Sequence, residues 1–382
     1  MNENSVICKL INDNPTTWQD IIKELKIRTK FEDNYAIFNY EITCDFSNKI
    51  VQEARGIIID VVNKQVVCWP FRKFGNYTES YADKIDWSSA KVLEKVDGSI
   101  IKLWYDFSID KWQFSTNGTI RAEKAPVEHT VNTFYGDIIK SAVNYKDIPF
   151  DKLDKNCTYI FELVSQITKV VISYDETKLY HLGTRNNITG KEFETDIGIV
   201  KPKLYCIGSL EDCIKSAVEL NRTACCDQVL NEGYVVVDKN YNRVKIKSPD
   251  YIMMHHITML KTIGKKECID MLLNDRAKID TICQKSPLVE PAVKYYDYKL
   301  AELICMAQKI GTLAQKLYEE YSHDRKAVAL VLTKHRLGTI GFLCIDKNKS
   351  GKEVLLEMPL EKLIKYIPDY IEEDLTSIFL SE

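Results

Sequence analysis

Lys95 is followed, one residue on, by Asp97-Gly98 and then by an apolar run. That pattern delivers an amine on a turn at the mouth of a strand. Lys245 and Lys247 alternate in a second strand-like run, which puts them on one face with Arg243. Glu232 opens a third run, Glu162 ends another and Arg55 precedes a further one. Together these side chains could carry out phosphoryl chemistry. A lysine amine can attack the α-phosphorus of a nucleotide and hold the nucleotidyl group covalently. It must be neutral to do so, and a free lysine titrates at about 10.4. Burial and neighbouring cations lower that value. Lys245 and Lys247 would also neutralise phosphates. Glu162 and Glu232 would hold Mg²⁺ and ribose hydroxyls, and Gly98 would let backbone come close to a nucleotide. Each feature taken singly has a plainer reading. Lys-x-Asp-Gly occurs in many surface hairpins, and a row of β-strand cations is usually a solvated edge face.

The elements that must position these groups are mixed up to about residue 254. Runs rich in Val, Ile, Tyr and Phe predict strands at 56–62, 64–69, 99–105, 111–116, 157–163, 169–174, 178–183, 233–238 and 243–247. Helical patterns fall near 16–26, 121–134 and 210–221. Interspersed helices and meander-like strands predict an α+β fold with antiparallel sheets. After residue 254 the pattern turns helical, at 252–274, 300–321, 324–336 and 358–379. Leu300, Leu303, Ile304, Ala307, Ile310, Ala314 and Leu317 form one amphipathic stripe. The expected organisation is a domain over 1–254 and a small all-α domain over 255–382.

Net charge is −3, so any polyanion site must be a local patch. No apolar run approaches the ~18 residues of a membrane helix, and the N-terminus lacks a signal-peptide pattern. Twelve cysteines are scattered without Cys-x-x-Cys spacing. They predict reduced thiols in a cytosol rather than zinc or disulfides, with Cys225-Cys226 the one pair that hints at redox chemistry.

In order and spacing, these motifs resemble those of the covalent nucleotidyltransferases, and most closely the phage-type RNA ligase 1 family of ATP-dependent tRNA-repair ligases. The resemblance covers nearly the whole chain. Ala54-Arg55-Gly56-Ile57 is similar to the family's Arg-Gly-Ile segment, and Lys73-Phe74-Gly75-Asn76 to its Lys-Phe-Phe-Asn segment. Lys95-Val96-Asp97-Gly98-Ser99 resembles the nucleotidyl-lysine motif. Phe161-Glu162, Glu232-Gly233-Tyr234-Val235 and Lys245-Ile246-Lys247 with Tyr251 resemble the later motifs, and Tyr40 an N-terminal nucleotide-site tyrosine. The resemblance implies that Lys95 is the nucleophile. It implies that Tyr40, Arg55, Lys73, Glu94, Gly98, Glu162, Lys245, Lys247 and Tyr251 bind ATP. It places a metal, Mg²⁺ or Mn²⁺, at Glu232 and, by a looser alignment, at Asp275.

The implied reaction is ATP-dependent RNA ligation through lysyl-adenylate and RNA-adenylate, with a nicked tRNA anticodon loop as the expected RNA. It would follow end healing by a polynucleotide kinase/phosphatase, in a monomeric cytoplasmic protein (host cytoplasm if viral) whose helical domain sets RNA selectivity. Two positions depart from the pattern. Asn117 stands where the family has a lysine, with Arg121 or Lys124 as candidate substitutes, and Gly75 replaces a phenylalanine. A capping guanylyltransferase or DNA ligase shares the lysine motif, but both continue into an OB barrel. A non-catalytic nucleotide- or RNA-binding module would not need all five of Lys95, Glu162, Glu232, Lys245 and Lys247.

Overall fold

Alternating apolar residues in the first two thirds of the chain build three antiparallel sheets. The computed structural model describes residues 5–41, 43–127, 130–221, 230–260, 263–285 and 287–370. Cys225-Cys226 and residues 371–379 of the helix expected at 358–379 lie outside these residues, and the described part of that run is helical only over Leu360–Leu363 with a 3₁₀ turn at Ile364–Tyr366. The chain divides into two compact units, Met1–Met253 and Met254–Glu382.

In the first unit, β1 (Ile27–Glu32), β2 (Tyr35–Tyr40), β3 (Arg55–Asp60) and β4 (Gln65–Cys68) pair in sequence order. Helices α1 (Val6–Asp13), α2 (Trp18–Glu24) and α3 (Lys49–Glu53) cover one face of this sheet. They bury Ile7, Ile11, Trp18, Ile22 and Val51 against Phe38, Ile57 and Ile59. Next comes β5 (Lys91–Glu94), which joins a later sheet. The strands β6 (Ser99–Asp106), β7 (Lys111–Thr116), β8 (Cys157–Val164), β9 (Lys178–Asn186) and β10 (Glu192–Phe193) form a second sheet, in the order β10-β9-β8-β6-β7. The third sheet, β11-β5-β12-β13, adds β11 (Leu204–Tyr205), β12 (Gly233–Val237) and β13 (Arg243–Lys247) to β5.

Helix α4 (Tyr135–Ser141) packs Ile138 and Ile139 on Leu103, Phe161 and Leu163 of the second sheet. Helix α5 (Leu210–Glu219) packs Cys213 and Ala217 on Val92, Tyr234, Val236, Val244 and Ile246 of the third. Apart from Glu94 at the end of β5, these are the even-numbered positions of β5, β12 and β13. Strand alternation therefore turns the odd-numbered ones, Leu93, Val235, Arg243, Lys245 and Lys247, to the other face.

Two expectations fail in the first unit. No strand forms at 169–174, where the amides of Val171 and Ile172 bond a side chain instead. A helix over 121–134 does not form either. Only a single 3₁₀ turn at Ala122–Lys124 precedes Pro126, and the helix starts at Tyr135. Proline disfavours helical backbone at Ala125, which is extended. The pairing β1–β2 and the strand β5 were not foreseen.

Helix α6 (Pro249–Leu260) runs through the boundary between the units. In the second unit α7 (Lys265–Asn274), α8 (Arg276–Lys285), α9 (Glu290–Glu320), α10 (Arg325–Leu332), α11 (Gly338–Lys347), α12 (Gly351–Leu356) and α13 (Leu360–Leu363) follow. The pattern expected as one helix at 252–274 is thus two helices, with Gly264 at the N-cap of the second. Helix α9 starts ten residues before the expected stripe, with a proline in its first turn. It buries Leu300, Leu303, Ala307, Ile310 and Ala314, so the stripe is core.

Candidate active site

Strand β5 ends at Glu94, and the backbone N–H of Lys95 extends its ladder by donating to Gly233 O at 2.9 Å. On the next strand pair Gly233 lies opposite Lys247. This register brings Lys95, Glu232 and Lys247 to the same end of the sheet. Lys95 Nζ donates to Glu232 Oε2 at 2.6 Å, and Lys247 Nζ pairs with Glu232 Oε1 at 2.9 Å. Glu232 is 3% exposed, so one buried carboxylate bridges two ammonium groups.

The turn that carries Lys95 is fixed by Asp97. Its Oδ2 accepts the N–H groups of Val171 and Ile172 at 2.9 and 2.7 Å, and its Oδ1 accepts the Tyr251 hydroxyl at 2.7 Å. Val171 and Ile172 belong to the run expected as a strand, and here they serve as amide donors in a loop. Burial and the carboxylates of Glu232 and Asp97 raise the pKa of Tyr251. At Gly98 a Cβ would stand 2.4 Å from Leu163 O. The close approach at this glycine is therefore to β8, not only to a ligand.

A cleft of about 1110 Å³ opens beside Lys95. Arg55, Glu94, Lys95, Gly98, Glu162 and Lys245 line it together with Phe71, Phe74, Leu93, Leu182 and Val235. Burial pushes the Glu162 carboxyl up to about 7, against the pull of Lys95. No hydrogen bond or ion pair holds that carboxyl among the described residues. Burial pushes Lys245 down to about 6, and the cations Arg55, Lys73, Lys95 and Lys247 add to the shift. Its Nζ lies 4.8 Å from the Phe74 ring centroid, and Arg55 Cζ lies 5.3 Å from the same ring. Lys73 Nζ sits 4.9 Å from the Phe46 ring and 5.6 Å from that of Tyr40. Burial first, then Arg55, lowers its pKa. Tyr40 is raised by burial and pulled back by the adjoining Arg55. Five basic side chains thus gather around one paired carboxylate, Glu232, an arrangement suited to a polyphosphate.

The sequence pattern of the RNA ligase family, T4 RNA ligase 1 type, matches residues 53–251, more than half of the chain. The chain belongs to this RNA ligase family. A protein of Autographa californica nuclear polyhedrosis virus, named as a bifunctional polynucleotide kinase/RNA ligase, is 32% identical over 253 residues. The match takes in 61% of this chain and 35% of that protein, so the chain spans about a third of its length. The RNA ligase of Rhodothermus phage RM378 is 22% identical over 425 residues, covering 92% of this chain and 95% of the phage protein. An archaeal ATP-dependent RNA ligase structure covers 78% of this chain and 82% of its own, at 10% identity and a TM-score of 0.45.

Within this RNA ligase family chain, most of the expected nucleotide-site residues converge. Arg55, Glu94, Lys95, Gly98, Glu162 and Lys245 line the cleft, Tyr40 and Glu232 touch its lining at Arg55 and Lys95, and Lys73, Lys247 and Tyr251 stand one contact further back, on Tyr40, Glu232 and Asp97. Asp275 belongs to the second unit, is exposed, and accepts the Lys278 N–H at 3.2 Å as a cap of α8. Neither substitute proposed for the lysine absent at Asn117 is free. Arg121 is held by Glu32, by Asp33 at 3.1 Å and by Asp106 at 3.1 Å, and Lys124 by Glu32 at 2.6 Å. Asn117 lines the cleft, whereas Arg121 and Lys124 do not.

At Gly75 a Cβ would meet Tyr81 at 3.1 Å and Ala82 at 3.2 Å, so a side chain there would have to displace these neighbours, and the aromatic lining of the cleft is Phe71 and Phe74 with Tyr135, Phe193 and Tyr241. Arg243 is not a solvated edge cation. It stacks 4.0 Å from the Phe71 ring and pairs with Glu192 at 2.7 Å. Sequence reasoning missed Phe46, whose ring is the nearer face against Lys73, and Lys102, which is wholly buried. Only a lysine inside an otherwise apolar strand could have signalled the latter.

Mg²⁺ binds through one or two carboxylates and completes its shell with phosphate oxygens and water. Glu232, the carboxylate between Lys95 and Lys247, would supply that ligand once a nucleotide brings the remaining oxygens.

Proposed function

We propose that the chain is an ATP-dependent RNA ligase that joins 5′-phosphate and 3′-hydroxyl ends. The observation that carries this reading is the Lys95 amine, held by a buried carboxylate at the mouth of a cleft whose wall is rich in cations. Lys95 Nζ attacks the α-phosphorus of ATP. A P–N bond forms, the bond to pyrophosphate breaks, and the amine proton passes toward Glu232, 2.6 Å away. An oxygen of the RNA 5′-phosphate then displaces the lysine, which regains its amine. The 3′-hydroxyl finally attacks the 5′-phosphorus and AMP leaves.

Arg55 and Lys73 hold the β- and γ-phosphates, with the Lys73 ammonium kept in place by the rings of Phe46 and Tyr40. Lys245 and Lys247 bind the α-phosphate, and Glu162 the ribose. Leu93, Val235 and Leu182, which line the cleft along with Glu94, offer an apolar surface for the base. Mg²⁺ bound at Glu232 would neutralise the phosphate charge that builds up during transfer. The expected RNA is a nicked stem-loop such as a broken tRNA anticodon loop, selected by the helical second unit. A kinase/phosphatase would heal the ends beforehand, and the name of the nuclear polyhedrosis virus relative, which joins a polynucleotide kinase to an RNA ligase, supports the kinase part. Ten described cysteines are free thiols, which suits a reducing compartment such as the cytoplasm. No described helix is long and apolar enough to cross a membrane.

The test is incubation with α-labelled ATP or GTP and Mg²⁺, followed by a denaturing gel. Label from ATP, absent in Lys95→Ala, is the expected result. The alanine variant should still seal RNA whose 5′ end is already adenylylated, because that substrate bypasses the first step. Label from GTP alone would mean a capping-type enzyme. Label that persists in Lys95→Ala would mean another nucleophile.

A further inference from the structure

Lys102 belongs to none of the motifs above, yet no other lysine is so completely buried among the described residues. It lies in β6 with 0% exposure. Its Nζ donates to Gly56 O at 3.1 Å and to Thr116 O at 2.6 Å, and it pairs with no carboxylate among the described residues. Gly56 follows Arg55, and Thr116 precedes Asn117. Arg55, Thr116 and Asn117 all line the cleft.

Gly56 has φ +82, and a Cβ there would stand 2.4 Å from Lys102 Nζ and 2.9 Å from Asn117 Cα. The ammonium therefore fills the space where a side chain would be, directly behind the cleft wall. It ties the start of β3 in one sheet to the end of β7 in another. Burial and Arg55 pull its pKa down to about 8, so it keeps most of its charge at neutral pH. A buried cation held only by carbonyl dipoles is costly unless an anion comes within range. In front of it stands Asn117, which is neutral and whose Oδ1 is buried without a partner.

We propose that Lys102 is a positioning residue for the triphosphate of ATP, stapling Arg55 and Asn117 through the carbonyls beside them and setting a positive potential behind both. This rests on the ATP-dependent ligase reading. The β- and γ-phosphates leave as pyrophosphate in the first step. Lys102 therefore acts on adenylylation from ATP and much less on sealing of pre-adenylylated RNA.

The experiment measures enzyme–AMP formation against ATP concentration in the full chain for wild type, Lys102→Met, Asn117→Lys and the double variant. Lys102→Met should raise the ATP half-saturation about tenfold, the equivalent of one charge-assisted contact. Its rate at saturating ATP should fall less than its affinity, and its deficit with ATP should exceed its deficit with pre-adenylylated RNA. Asn117→Lys, which supplies a charge from the cleft side, should recover most of the lost affinity in the Met background, a rescue that a purely structural lysine would not show. Lys102→Gln keeps an N–H donor without the charge. It serves as the second variant if the Met protein melts early, and the same loss of affinity is expected. An unchanged ATP half-saturation in a folded Met or Gln variant overturns the proposal, as does failure of Asn117→Lys to rescue. If wild type itself takes no label from ATP, the ligase reading fails first, a result distinct from both.

Discussion

Glu162→Gln tests the electrostatics of the cleft through stability. Burial pushes the Glu162 carboxyl from 4.5 up to about 7. Below pH 4.5 both folded and unfolded chains hold the proton, and the shift has no effect. Between 4.5 and 7 the unfolded chain has released it while the folded chain keeps it, so rising pH favours unfolding. Above 7 the folded chain carries a buried carboxylate and the whole penalty applies. At 1.36 kcal/mol per unit that penalty is about 3 kcal/mol. Glutamine has the same shape and no charge. The variant should therefore gain about 2–3 kcal/mol on wild type between pH 4.5 and pH 8.

A buried glutamine amide without partners costs something of its own, but that offset does not depend on pH and cancels in the comparison. All five tryptophans lie in the first unit, so urea unfolding followed by tryptophan fluorescence reports on that unit alone. The more stable variant should also form enzyme–AMP poorly, since it lacks the ribose carboxylate. A stability difference that stays the same at both pH values within about 0.5 kcal/mol would refute the reasoning.

Other outcomes follow from the same geometry. Glu232→Ala leaves the Lys95 and Lys247 ammonium groups facing each other. Adenylylation and final sealing should each drop about a hundredfold, with little recovery in extra Mg²⁺ or Mn²⁺, and full activity would return Glu232 to a structural role. Lys245 is largely neutral near pH 7.5 in the free protein, because burial and its cationic neighbours hold it near 6. A bound phosphate favours its charged form, so ATP binding should take up roughly half to one proton, lost in Lys245→Met. Calorimetry in buffers of different ionisation enthalpy reads this directly, and equal uptake in both proteins would count against it. A chain ended after Leu260 keeps α6 whole. It should still form enzyme–AMP but lose any preference for a nicked stem-loop over simple single strands, with folding checked by a thermal melt. Unchanged preference would remove the second unit from RNA selection.

Much of the candidate site's grouping was legible in the sequence, for a local reason. Lys95, Asp97 and Gly98 share one turn, and Lys245 and Lys247 one strand face, so short-range spacing already places them. The β-runs and the helical tail were legible because burial on one face imposes a period. What sequence could not supply was pairing across distance. Lys95 and Glu232 meet only because β5 and β12 pair in one register. The apolar run at 169–174 reads as a strand until its amides are found on the Asp97 carboxylate. Arg121 and Lys124 look free in sequence, but β1 and its turn supply the acids that hold them. The charge states of Glu162, Lys245 and Lys102 also belong to the tertiary structure. Burial and the cations of other elements set them, and neither can be read from residue type.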